Sequence, residues 1–140
     1  MALQYNIKYK LDLRQTARIV GRRIISKSVN YQVDYLTDPG SLIVANNSGQ
    51  LINFTLPYVE QCNGHCYSFM AGNTGIMMVS ARNADTMVTL NDVAADAVNY
   101  GYTNYIAGSA CDIWSDGTKY YHMDKSPVQN AVISSFVVDS

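Results

Sequence analysis

Charge is scarce in this sequence. Only 15% of its 140 residues are Asp, Glu, Lys or Arg, against about 25% in an ordinary soluble domain. Glutamate occurs once, as Glu60. No apolar run approaches the roughly 18 residues of a membrane-spanning helix. The opening Met1-Ala2-Leu3-Gln4-Tyr5-Asn6 also lacks the continuous apolar core of a secretory leader. No membrane partner is therefore expected, and synthesis in a cytoplasm is. The three cysteines are an odd number and a poor basis for a disulfide framework; they are expected to be reduced and mostly buried. No repeat of fixed period is present.

What is present is an apolar fraction of 48%, enough for one folded domain with a single core. The surface must then be covered largely by Asn, Ser, Thr, Gln and the 11 tyrosines. A surface poor in charge and rich in tyrosine suits permanent contact with other proteins, because interface cores are depleted in charge and enriched in aromatics.

The net charge of −1 conceals a split. Residues 1–30 carry seven cations against Asp12, a net of +6; residues 31–140 carry three cations against ten carboxylates, a net of −7. In the basic part, Tyr5, Ile7, Tyr9, Leu11 and Leu13 alternate with polar residues at the period of a half-buried strand. Residues 14–27 read as either a short helix, weakened by Gly21, or an extended arm. We expect an N-terminal arm over 1–28 and a β domain over 29–140. The arm's apolar alternation wants a protein surface and its cations want carboxylates. Its expected partner-binding residues are Tyr5, Ile7, Lys8, Tyr9, Lys10, Leu11, Arg14, Arg18, Arg22 and Arg23. Nucleic acid is the less favoured partner, since only about one arm residue in four is Lys or Arg.

From Val29 onward short apolar stretches alternate with turn residues. Asp38-Pro39-Gly40, Asn46-Asn47-Ser48-Gly49 and Gly72-Asn73-Thr74-Gly75 read as turns. Ile52, Phe54 and Leu56 alternate with Asn53 and Thr55, and Ile76–Val79 is apolar on both faces, which predicts a central strand. Asp116-Gly117 predicts a hairpin, and residues 91–100 a short helix. Alternation over 132–138 predicts a closing strand. The pattern predicts an all-β fold, a sandwich or barrel-like domain of short antiparallel strands.

Candidate chemistry is thin. Cys62-Asn63-Gly64-His65-Cys66, with His122 or Cys111 as a fourth donor, could in principle hold zinc, but it lacks the paired ligand spacing of structural zinc sites. The preferred reading is a turn with two inward thiols, so no metal and no cofactor is expected. No acid–base carboxylate pair or nucleophile motif can be named, so no catalytic residue and no enzymatic activity are expected. Tyr100, Tyr102, Tyr105, Tyr120 and Tyr121 could stack on sugars, but cross-strand aromatic packing is the simpler reading.

Four motifs between Leu42 and His122 carry a resemblance. They are Asn47-Ser48-Gly49, Phe54-Thr55-Leu56-Pro57, Tyr67-Ser68-Phe69 and the hairpin Trp114-Ser115-Asp116-Gly117-Thr118-Lys119-Tyr120. This stretch resembles the β domains of bacteriophage capsid decoration (cement) proteins and of head or tail fibres. The arm lies outside the pattern. The resemblance implies a homotrimeric structural protein on the virion surface, with the major capsid protein as its partner. Because the sequence has no repeat-built shaft, we expect a decoration protein that clamps the outer capsid surface and stabilises the shell. The alternative is a receptor- or glycan-binding module of a fibre.

Overall fold

The computed structural model describes residues 22–47, 49–73, 76–90, 92–100, 108–125 and 136–138. The chain crosses repeatedly between two sheets. Strands β1 (Ile24–Lys27), β3 (Leu42–Ala45), β5 (Cys66–Ala71), β7 (Met87–Val88), β9 (Ala110–Ser115) and β10 (Tyr120–Asp124) form sheet A. Strands β2 (Tyr31–Gln32), β4 (Leu51–Thr55), β6 (Ile76–Ser80), β8 (Ala97–Tyr100) and β11 (Phe136–Val138) form sheet B. The orders are β1-β3-β5-β9-β10-β7 and β11-β8-β6-β4-β2.

The all-β expectation holds among the described residues, and the sheets do not close into a barrel. The expected antiparallel pairing needs correction. The ladders β1·β3, β3·β5, β2·β4, β4·β6 and β10·β7 are parallel. Among the described residues the antiparallel ladders are β5·β9, β9·β10, β6·β8 and β8·β11, with one isolated antiparallel bridge between Met87 and Ala95. Parallel neighbours need a crossover. Among β1 to β6 each crossover is a strand of the opposite sheet, so these six strands wind around one core; the β7-to-β10 connection runs through β8 and β9. The connections at Asn46–Gly49 and after Gly72 carry the chain between sheets instead of folding it back as a hairpin. A second correction concerns residues 91–100. The expected helix is replaced by β8 and by a bend that places Ala95 against Met87.

Period-2 alternation decides what is buried. On β4, Ile52 and Phe54 are fully buried while Leu51 is half exposed. The register stacks Ile25, Ile43, Phe69 and Cys111 in one inward row of sheet A. In sheet B the row is Tyr31, Phe54, Val79 and Val98. The two rows meet where the Phe54 and Phe69 rings lie 5.4 Å apart. Each fully buried phenylalanine stabilises the fold by about 2–3 kcal/mol. Strand β6 lies between β4 and β8, as its two-faced apolarity predicts.

The β9–β10 hairpin forms at Asp116-Gly117. Asp116 Oδ1 accepts from the N–H groups of Thr118 and Lys119 at 2.8 and 2.7 Å. Gly117 has φ +88°, a backbone region that favours glycine.

Residues 22–27, the last part of the expected arm, are built into the domain. β1 is an edge strand of sheet A and Ile25 belongs to the core. Residues 1–21, and with them the alternating segment 5–13, lie outside the described residues, as does most of the predicted strand 132–138.

Candidate interaction surface

The outward face of sheet A follows from the same alternation. With Tyr67, Phe69 and Ile113 buried, Cys66, Ser68 and Met70 on β5 and Asp112 and Trp114 on β9 face the other way. One cross-strand row runs Cys66, Trp114, Tyr121, Val88. The next runs Ile24, Leu42, Ser68, Asp112, Met123. Ile24, Trp114, Tyr121 and Met123 are substantially exposed, Trp114 by 47% and Tyr121 by 40%. A folded sheet whose other face already fills the core thus presents large apolar and aromatic side chains outward.

Within this face lies a polar knot. Asp112, only 8% exposed, accepts from Ser68 Oγ at 2.6 Å and pairs with Lys125 Nζ at 2.6 Å. Arg22 Nη2 reaches Ser68 Oγ at 3.3 Å, and its Nε donates to the Gly40 carbonyl at 2.6 Å. Burial alone would raise the Asp112 carboxyl. Hydrogen bonds from Lys125 and Ser68, with Arg22 nearby, outweigh burial and hold it below the ordinary carboxylate range. The Asp112 hydrogen bond in turn raises the Lys125 ammonium. The knot floors a recess of about 560 Å³ walled by Ile24, Leu42, Met70 and Ala110 and rimmed by Arg22 and Lys125. Apolar walls around a few convergent polar groups are the usual make-up of a binding recess.

Of the ten sequence-predicted arm residues, Tyr5, Ile7, Lys8, Tyr9, Lys10, Leu11, Arg14 and Arg18 lie outside the described residues. Arg22 stands at the recess. Arg23 is engaged within the domain, donating to Thr37 O at 3.1 Å and lying 3.5 Å from Asp38. Asp38 is fully buried and also accepts from Tyr31 Oη at 2.6 Å and Asp34 N–H at 2.8 Å. Burial, then the Asp38 carboxylate, pushes the Tyr31 hydroxyl up to about 12.

The cysteine–histidine cluster does not assemble. Cys62 is buried, with the Tyr67 and Tyr120 hydroxyls each 3.5 Å from its sulfur, whereas Cys66 lies on the outward row beside Trp114. His65 Nδ1 is 3.1 Å from Tyr67 Oη, and His122 Nε2 is hydrogen-bonded to Tyr100 Oη. No group of three His, Cys, Asp or Glu that could hold a metal exists among the described residues. Tyr100 and Tyr120, considered for sugar stacking, are fully buried; Tyr121 remains exposed, and Tyr102 and Tyr105 lie outside the described residues.

Sequence reasoning missed Ser68, Asp112 and Lys125. Ser68 and Asp112 are 44 residues apart and meet only through the β5·β9 register. Trp114 and Tyr121 are cross-strand partners because the turn is centred on Gly117-Thr118; a two-residue loop at Asp116-Gly117 would have set Trp114 opposite Lys119.

Comparison with protein-family models, with curated proteins and with solved structures gives no match.

Proposed function

We propose that this chain is a structural virion protein, a bacteriophage capsid decoration protein. It binds the outer capsid surface as a homotrimer, has the major capsid protein as its partner and carries out no chemistry. The observation that carries this reading is the outward face of sheet A. It exposes Ile24, Trp114, Tyr121 and Met123 on a rigid sheet whose opposite face is already packed. The scarcity of charge agrees, because interface cores exclude it. The basic residues before Arg22 serve as the attachment arm, drawn to an acidic shell. Binding that occurs only on the assembled shell stabilises it by mass action. The test is to purify particles with and without the gene for this chain and compare them by electron cryomicroscopy and heat release of their contents. Expected are protruding density lost on deletion and release at a lower temperature. Absence of the protein from wild-type particles overturns the reading.

A second reading has one specific observation in its favour. Trp114 and Tyr121 are cross-strand partners, both about half exposed, which is a platform on which a sugar ring can stack. Under that reading the chain is a glycan- or receptor-binding module of a fibre. Binding to a host-surface glycan that Trp114→Ala abolishes, by a protein absent from the capsid shell, selects it over the first.

A further inference from the structure

We propose that a cleft beside sheet B is a binding site for an uncharged saccharide. It lies between the turn after β2 and residues 57–61, with a volume of about 340 Å³. It shares no lining residue with the recess on the outward face of sheet A, and what that face binds does not bear on it.

The base of the cleft is apolar, because Val33 and Pro57 are both buried. Above them stand the exposed rings of Tyr35 and Tyr58. Arg82 and Asp34 line the same cleft, yet they do not pair with each other. The ion pairs among the described residues are Arg23–Asp38 and Lys125–Asp112. The Arg82 guanidinium lies over the Tyr58 ring, 4.8 Å from its centroid, which holds it in place. That contact leaves its five N–H donors without a protein acceptor among the described residues. Asp34 Oδ1 accepts from Leu36 N–H at 2.8 Å, and its second oxygen has no such donor. The exposed amides of Gln32 and Gln61 are likewise unused.

These groups define the ligand chemically. One fork donates, one carboxylate oxygen accepts, and each amide can do both. A molecule that satisfies all of them must donate and accept at several points, as the hydroxyls of a sugar do. The lining charges cancel, so the ligand that fits is uncharged. A phosphate backbone needs several cations, and here it would meet one cation and one carboxylate. An apolar protein segment would bury both charges without a partner, at a cost in affinity. The Tyr35 ring offers an apolar surface to the C–H face of a sugar, with a hydroxyl at its tip. The volume is at the small end of the range for ligand clefts, roughly 300–1,000 Å³, which suits a short saccharide.

Both walls are fixed in advance. On one side Asp34 N–H donates to Asp38 Oδ2 at 2.8 Å and Asp38 N–H donates to Asp34 O at 3.1 Å. On the other, Val59 N–H donates to Asn83 Oδ1 at 2.9 Å and Tyr120 Oη donates to Pro57 O at 2.5 Å. A site held in shape before binding loses little entropy when it is filled.

Titration of the ¹⁵N-labelled full chain with maltose, lactose, mannobiose and chitobiose tests this. Each is taken to about 20 mM, well above the Kd of about a millimolar expected for a short sugar. At least one should give saturable shifts at the amides of Val33, Tyr35 and Gln61 and none at Trp114 or Tyr121. Arg82→Gln, with unchanged circular dichroism, should weaken that binding about tenfold or more, and Trp114→Ala should leave it unchanged. If Arg82→Gln is misfolded, Gln61→Ala replaces it, since its exposed amide has no partner to lose. No saturable shift with any of the four sugars overturns the site. Binding that survives Arg82→Gln and is lost in Trp114→Ala also overturns it and assigns the sugar to the sheet A platform. Binding of glucuronic acid in preference to all four neutral sugars overturns the uncharged class.

Discussion

The two edges of sheet A are finished in opposite ways. At the β7 edge the chain seals the sheet, because Met87 exchanges both main-chain hydrogen bonds with Ala95, at 3.0 and 2.9 Å. At the β1 edge nothing among the described residues does this. The bonds Leu42 N–H to Arg23 O and Asn46 N–H to Lys27 O fix the phase of the ladder. Arg23, Ile25 and Lys27 therefore bond towards β3, and Ile24 and Ser26 turn their main-chain groups to the open side. Exposed edges are an association hazard that proteins blunt or use. Here the blunted edge is acidic and the open one basic, with Arg22, Arg23 and Lys27 beside it. The contrast teaches that one end of the sheet is finished by the chain itself, while at the other no described residue pairs with the edge.

The comparison holds only if both ends belong to one cooperative body. Phe54→Ala removes the ring that joins the sheets and is expected to cost about 3–5 kcal/mol. Denaturant unfolding should show a single transition by circular dichroism and by Trp114 fluorescence at the β9–β10 end. Two separated transitions would mean that the ends are independent.

Proline substitutions probe the edges directly. Ala95→Pro deletes the donor that seals the β7 edge and is expected to cost about 1–3 kcal/mol. Ser26→Pro removes an N–H that faces the open side, where an edge strand tolerates proline, and should cost under about 1 kcal/mol. Equal losses in thermal stability would refute the proposed difference between the edges.

The polar knot between the ends gives a smaller effect. Lys125→Met leaves the Asp112 carboxylate shielded from water with only Ser68 and Arg22 nearby, and is expected to lower the melting temperature near neutral pH by less than the core and edge substitutions do. The Asp112 pKa is lowered in the folded state. Its stabilisation is therefore present above the unfolded value of about 4 and is lost as pH falls through the folded one. The gap between parent and variant should narrow on acidification, and a gap independent of pH would remove Asp112 from the account.

The smallest effect is at Tyr31, on β2 of sheet B, and appears only in alkali. Tyr31 is raised from 10.0 to about 12, so its contribution is full below pH 10 and is lost as pH rises towards 12. Tyr31→Phe should flatten the fall in melting temperature over that window. An unchanged slope would show that the Asp38 contact does not hold this proton.

How much could be read in advance depended on the range of the interaction. The alternation of Ile52 and Phe54, the central place of β6 and the Asp116-Gly117 hairpin were legible, because side-chain period and turn chemistry act over a few residues. The helix expected over 91–100 failed for the opposite reason. Val93, Ala94, Ala97 and Val98 have helical spacing, but Ala97 and Val98 gain more by burial on β8 against Val79 and Ser80.

By itself, the sequence determined which residues lie on the two faces of each strand and how few charges the surface could carry; the expected tyrosine-rich surface is realised only in part, since Tyr67, Tyr100 and Tyr120 are fully buried. Only the tertiary structure decided that Asn46–Gly49 carries the chain to the other sheet and so makes the ladders parallel. It alone set Asp112 between Ser68 and Lys125 and engaged Arg23 with Asp38. The physical reason is that alternation assigns a residue to a face but not to a neighbour. Neighbours are set by strand register, and register is settled by packing two whole faces against each other.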